Sequence, residues 1–175
     1  MKQGPLLSAL FHRAEYIPVD RKRIETMDKL QIGEPVDAAA ELEDLLRYNG
    51  FSFHREGDRF YLVFADRGCK WETLCVCRER LVLIYGRYPF PAVDRERART
   101  VCEEINRQAV MGSMFLSEGR AVFRTGADLF DAYSAYEHIG RALEYNAGVM
   151  VRFWTQMASC AAANLGDLGK EPASE

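Results

Sequence analysis

The chain has 175 residues and a net charge of −3, with 48% apolar and 28% charged residues. These values are typical of one soluble globular domain, with or without an extension, and the length is enough to bury a core. Because phosphate recognition needs a concentrated basic surface, the negative charge argues against a nucleic-acid partner. The arginines at 95, 97 and 99 alternate with Glu96, a mixed pattern typical of a solvated helix face.

The cysteines and the N-terminus indicate a reducing compartment. The five cysteines form an odd, scattered set without the spacing of a disulfide framework, and no apolar run after Lys2 resembles a signal peptide. We therefore expect a cytoplasmic protein. Residues 145–166 are the most apolar stretch, but Arg152 and several polar residues interrupt it, so we expect no membrane span. The cysteines are Cys69, Cys75, Cys77, Cys102 and Cys160.

Residues 1–36 read as an N-terminal extension that is partly helical. Apolar residues recur at helical spacing before Pro18, and Ile24, Met27 and Leu30 form a stripe in the charged segment that follows. The main domain is expected over residues 37–165. Residues 166–175 are small and polar, and we expect a disordered tail there.

The domain opens with a helix that Asp37 caps and Gly50 closes. Two strands follow, around 51–54 and 60–64, and then a hairpin from Trp71 to Tyr85 that turns at residues 78–80. Its second arm, Leu81–Tyr85, is apolar on both faces, which is typical of a strand that is covered on both sides.

A second helix follows Asp94, and two short strands lie around 114–116 and 121–123. The last element reads as one long helix that begins with a capping box at Ser134 and Glu137. The order α-ββββ-α-ββ-α predicts an α+β fold. We expect an antiparallel sheet of about six strands with the helices packed on one face.

The helix sequence Val101-Cys102-Glu103-Glu104-Ile105-Asn106-Arg107, the strand pair after it and the long closing helix resemble the YbjN family. These bacterial proteins are provisionally described as sensory-transduction regulators and share the fold of class I type III secretion chaperones. The likeness covers about residues 37–163. It implies a small cytoplasmic protein that binds another polypeptide and can form a homodimer. The family has no established active site, so no catalytic residue is carried over.

Candidate chemistry is sparse. Cys75 and Cys77 share a strand face, but no second ligand pair accompanies them, so buried thiols are favoured over a metal site. We expect neither a metal nor a cofactor. A thiol- or metal-dependent enzyme that uses Cys75, Cys77 and His54 is the alternative to a non-enzymatic binding protein, with Glu56 as a possible acid–base partner of His54.

Partner contact is expected on two apolar surfaces. One is formed by the strands Phe60–Phe64 and Leu81–Tyr85, and the other is the broad apolar face of the last helix. A sheet that is covered by helices on one side leaves large side chains on the other, where the N-terminal extension, a second copy of the chain or a client polypeptide could cover them. We expect a second copy first, and therefore a homodimer. The candidate partner-binding residues are Leu81, Leu83, Tyr85, Met150, Phe153, Trp154 and Met157.

Overall fold

A computed structural model describes residues 36–161, and the predicted extension and tail therefore lie outside the described residues except for Val36. The helices are α1 (Ala38–Tyr48), α2 (Arg95–Gln108), α3 (Ala132–Arg152) and α4 (Trp154–Ala158). The strands are β1 (Phe53–Glu56), β2 (Arg59–Asp66), β3 (Cys69–Arg78), β4 (Leu81–Arg87), β5 (Ser113–Ser117) and β6 (Arg120–Asp128).

The strands form one antiparallel sheet in the order β1-β2-β3-β4-β6-β5. The predicted α+β architecture with six strands is confirmed, and so is the central hairpin, in which Leu74 pairs with Tyr85 and Cys75 with Ile84. After β4 the chain passes through α2 to β5 at the edge of the sheet, and β6 then lies between β5 and β4.

Side chains alternate in burial along the central strands, and this alternation defines two faces of the sheet. On β3, Trp71, Thr73, Cys75 and Cys77 are buried beneath the helices. We call this side the helix face. We call the opposite side the open face, since no helix within residues 36–161 packs on it.

The helix α3 packs closely on the centre of the sheet because two residues complement each other. Asn146 is 2% exposed, and its Nδ2 donates to the carbonyl oxygens of Phe123 at 3.0 Å and Ile84 at 3.3 Å. A β-carbon on Gly86 would lie 2.6 Å from Asn146 Oδ1 and 3.0 Å from Met150 Cγ. A glycine at position 86 therefore allows α3 to lie directly over β4 and β6.

The two edge strands are protected in different ways. On β5, the side chain of Asn106 in α2 accepts from Met114 N at 2.6 Å and donates to Met114 O at 3.0 Å. The amide group thus takes the place of a neighbouring strand at that position. On β1, charged side chains deter strand addition, and Arg55 forms an ion pair with Glu43 of α1.

The helix ends confirm some of the sequence predictions and correct others. Asp37 and Asp94 are N-caps as predicted, with the side chain of Asp94 accepting from Arg97 N at 3.0 Å. The prediction of a cap at Ser134 is wrong: the N-cap of α3 is Asp131, which accepts from both the backbone and the hydroxyl of Ser134. The single long closing helix is also a misprediction, because the chain breaks at Phe153 into α3 and α4.

Candidate partner-binding face

The open face carries a contiguous apolar surface across its central strands. Cross-strand pairs bring Tyr61 beside Leu74 and Leu74 beside Tyr85, with Val76 and Leu83 paired in the next row. Val122 and Phe115 pair with each other on the far side of the sheet. Cross-strand neighbours of this kind have side chains in contact, so the apolar surface is continuous over β2, β3 and β4. It reaches Val122 only diagonally, because Arg124 stands opposite Tyr85 in the β4–β6 register.

A groove of about 830 Å³ runs over this surface. Val63 in its wall is 58% exposed and Tyr61 is 36% exposed, although both lie on a central strand. Large apolar side chains at mid-strand positions are normally covered, and adjoining exposed ones mark an interaction surface. The groove is lined by side chains or backbone of Ser52, Phe53, His54, Tyr61, Leu62, Val63, Glu72, Thr73, Leu74, Tyr85, Arg87, Phe115, Ser117 and Val122.

Polar groups in the groove are few and largely paired. Arg87 Nε donates to Glu72 Oε2 at 2.9 Å, across the β3–β4 register that places the two residues opposite each other. His54 Nε2 lies 3.1 Å from Glu56 Oε1, and both side chains are more than half exposed. The groove therefore offers shape and apolar area rather than a concentrated set of catalytic groups.

The two predicted partner-binding groups lie in different surroundings. Leu81, Leu83 and Tyr85 are partly exposed on the open face. Met150, Phe153 and Met157 are buried in the core at 0%, 6% and 1% exposure, so the described fold does not offer them to a partner. Trp154 is half-buried and packs on Tyr88 and Phe90, with ring centroids 5.5 and 5.3 Å away. The strand group alone belongs to the candidate site.

The break at Phe153 explains why the helical group is buried. A continuous helix would point Phe153 and Trp154 about 100° apart. The turn lets Phe153 enter the core and lets Trp154 join an aromatic cluster on the Tyr88 side, where Tyr88 Oη donates to Met150 O at 3.0 Å. Both rings are thus used within the described fold.

The groups of the alternative enzyme hypothesis do not meet. Cys75 and Cys77 are buried on the helix face, whereas the side chain of His54 is on the open face and 70% exposed. Burial raises the pKa of Cys75 and raises that of Cys77 to about 12, so both thiols stay protonated near neutral pH. A thiolate nucleophile activated by His54 is incompatible with this geometry.

Within residues 36–161, no three His, Cys, Asp or Glu side chains come together in an arrangement that could hold a metal ion. Among the helices of the same range, none has the length and apolar character needed to cross a membrane.

Sequence reasoning missed several groove residues. Tyr61 and Val63 line the groove and were predicted only through the strand Phe60–Phe64, which was expected to be apolar on both faces. Phe115 and Val122 also line it, yet they were assigned only to strands. The alternation around Phe60–Phe64 carried the signal for the first two, because every second position had to face away from the helices. The contribution of Phe115 and Val122 depends on the pairing of β6 with β4, which local sequence patterns do not encode.

The comparison with known structures matches the crystal structure of YbjN from E. coli, which is described provisionally as a transcription regulator. The TM-score is 0.49 and the identity is 13%, over 66% of this chain and 90% of that chain. The resemblance to YbjN predicted from the sequence is thereby confirmed. No protein-family model and no curated protein matches the chain. The likeness concerns the fold, so function is inferred below from the geometry of this chain.

Proposed function

We propose that the chain is a non-enzymatic protein-binding protein with a regulatory or chaperone-like role, and that the open face is its binding surface. The groove over Tyr61, Val63, Leu74 and Tyr85 is the observation that supports this proposal, because these side chains sit mid-sheet without a helix of residues 36–161 above them. A buried aromatic and aliphatic centre with a polar border is the usual composition of a protein interface.

A binding role also fits how the rest of the sheet is protected. The Asn106 amide hydrogen-bonds to the backbone N and O of Met114 at the β5 edge, and charged side chains lie along the β1 edge. Edge-to-edge strand addition is thus disfavoured, while the open face is left for contact through side chains.

We propose further that a second copy covers the open face in the cytoplasm when no other polypeptide does, which gives a homodimer. Leu81, Leu83 and Tyr85 would lie near the centre of such a contact, because β4 has β3 on one side and β6 on the other. The sheet face of six strands spaced about 4.8 Å apart covers roughly 600 Å² per copy, which is at the lower end of the area that a stable dimer buries. Two-fold dimers are also the commonest oligomers.

The experiment that tests the binding face is site-specific photocrosslinking in cells of the native host. A photoreactive residue replaces Tyr61 in the groove and, as a matched control, replaces Tyr48 on the helix side, where the side chain is 66% exposed. We expect polypeptide adducts from position 61 and few from position 48. An adduct of twice the chain mass would identify a second copy.

Equal adduct yields from the two positions would contradict the proposal, because any exposed tyrosine would then serve as well. A different result would support the alternative class: turnover of a small molecule that is lost with Cys75→Ala would point to thiol chemistry instead.

A further inference from the structure

The open face is basic although the chain as a whole is acidic. Strand alternation and register place six Arg or Lys side chains on this face against three Asp or Glu side chains, while the net charge of the chain is −3. The basic residues are Arg59, Lys70, Arg78, Arg87, Arg120 and Arg124, and the acidic ones are Glu56, Glu72 and Asp128. The apolar groove thus has a positive border.

Two of these arginines adjoin the apolar centre without forming an ion pair, although Glu56, which bonds to His54, lies opposite Arg59 in the β1–β2 register. Arg59 pairs in register with Val76, and Arg124 pairs with Tyr85, so the apolar rows of β3 and β4 lie between them. Both side chains are exposed, and neither forms an ion pair with another residue of the 36–161 range. Arg87, by contrast, is neutralised by Glu72.

The register fixes where the two arginines stand on the sheet. Arg59 and Arg124 are three strands apart and one row apart along the strands, so their Cα atoms are separated by about 16 Å. An extended polypeptide advances about 3.3 Å per residue, so it spans this distance in about five residues. The stretch between its charged ends would lie on Val76, Leu74 and Tyr85.

We propose that the open face selects polypeptide segments in which two carboxylates flank a short apolar stretch, with Arg59 and Arg124 pairing with the carboxylates. This inference rests on the proposed function and names the chemistry of the client that binds there. The apolar stretch supplies area to the groove, and the two ion pairs fix its register and speed its association.

A single-stranded nucleic acid would also be drawn to a basic sheet with tyrosines, but the centre of this face does not suit it. Leu74, Val76 and Leu83 occupy the middle of the sheet, where aliphatic side chains cannot stack on bases as aromatic ones do. The five open-face cations that form no ion pair within residues 36–161 are spread around the border of the face and do not line up as a continuous track for phosphates. Carboxylates at the ends of an apolar segment match this arrangement better.

The test begins with selection of short random peptides displayed on phage against the full-length protein. We expect enrichment of peptides with acidic residues around an apolar core. The tightest synthetic peptide is then titrated, by fluorescence anisotropy, against wild type, Arg59→Glu, Arg124→Glu and Arg99→Glu. Arg99 is exposed on α2, so its reversal makes the same change in net charge away from the open face.

Each open-face reversal should weaken binding by about threefold to tenfold, as expected for a solvent-exposed charge pair that becomes repulsive, and added salt should weaken wild-type binding. Arg99→Glu should bind as wild type does. Enrichment of neutral or basic peptides, failure to select any peptide because a second copy holds the face, or tighter binding of a single-stranded oligonucleotide would each overturn the inference.

The variant Val63→Glu separates this inference from the proposed function. Selected peptides that lose affinity for Val63→Glu but bind Arg59→Glu and Arg124→Glu as tightly as wild type would overturn the charge rule and leave the binding face in place. Peptides whose affinity is unchanged by Val63→Glu as well would contradict both the charge rule and the binding face.

Discussion

At the scale of single residues, the contact between Gly86 and Asn146 determines how closely α3 approaches the sheet. Helix interiors rarely bury an asparagine, and here its amide bonds to two strand carbonyls at 3.0 and 3.3 Å. Asn146 was not singled out from the sequence, because a polar residue in an apolar helix pattern reads as a surface position. Its partners are backbone atoms of β4 and β6, which only the folded sheet brings beneath it.

We predict that Gly86→Ala destabilises the fold by about 1–3 kcal/mol, as expected for overpacking of a tight core. The new methyl group would lie 2.6 Å from Asn146 Oδ1, so either the Asn146 side chain or α3 must shift. Urea denaturation measures the change. Gly126→Ala is the control, since its nearest neighbour would be Leu83 Cδ2 at an ordinary 3.5 Å; equal effects of the two substitutions would contradict the close approach.

The buried thiols predict how stability depends on alkaline pH. Burial raises the pKa of Cys75, so its thiol keeps its proton in the folded state at a pH where the unfolded thiol has ionised. Stability should be unaffected by this group below about pH 8.5 and should fall above it, by up to about 1.4 kcal/mol per pH unit. Cys75→Ala should show a shallower decline in urea denaturation than wild type, and identical slopes would refute the assignment.

At the scale of elements, Asn106 links α2 to β5 and closes the sheet edge. We predict that Asn106→Ala costs about 1–3 kcal/mol, because it leaves Met114 N and O without their side-chain partners. The exposed edge should also increase aggregation, measured by light scattering at equal fractions folded. Gln108→Ala serves as the control on the same helix, since Gln108 has a single long hydrogen bond with Arg152, at 3.4 Å. A monodisperse, fully stable Asn106→Ala protein would argue against the edge role.

The elements themselves could largely be predicted from the sequence, and their ends less so. Strand alternation and the caps Asp37 and Asp94 gave the correct order because they are local signals. The break at Phe153 was missed because no proline or glycine marks it. The break arises from packing, since Phe153 can enter the core and Trp154 can pack on Tyr88 only when the helix turns there. The cap was predicted at Ser134 and not at Asp131 because both residues are of types that commonly cap helices.

At the scale of the whole molecule, α1 opens the described domain through its own cap, and Val36 before it is already buried. We predict that deletion of residues 1–34 leaves a folded protein with an unchanged circular dichroism spectrum and a cooperative urea transition. A molten or insoluble truncation would contradict this prediction and would mean that the removed segment covers apolar surface of the domain.

The candidate site was predictable in part. An apolar second face on Leu81–Tyr85 follows from sequence alone, since both sides of that strand carry large side chains. The extent of the groove does not, because it depends on β6 crossing over to pair with β4. The helical candidates around Met150 are not surface residues for a related reason. The wide apolar face of the helix packs into a core that includes α4, Tyr88 and Phe90.

Sedimentation equilibrium at micromolar concentration tests most directly whether the open face is a covered binding surface. Val63 in the groove and Val93 in the loop before α2 form a matched pair, at 58% and 54% exposure. We predict a dimer for wild type and for Val93→Glu, and a folded monomer for Val63→Glu, because a buried carboxylate would disrupt the apolar contact. A wild-type species of 20.0 kDa, which is the monomer mass, or a Val63→Glu protein that remains dimeric, would contradict dimer formation through the open face.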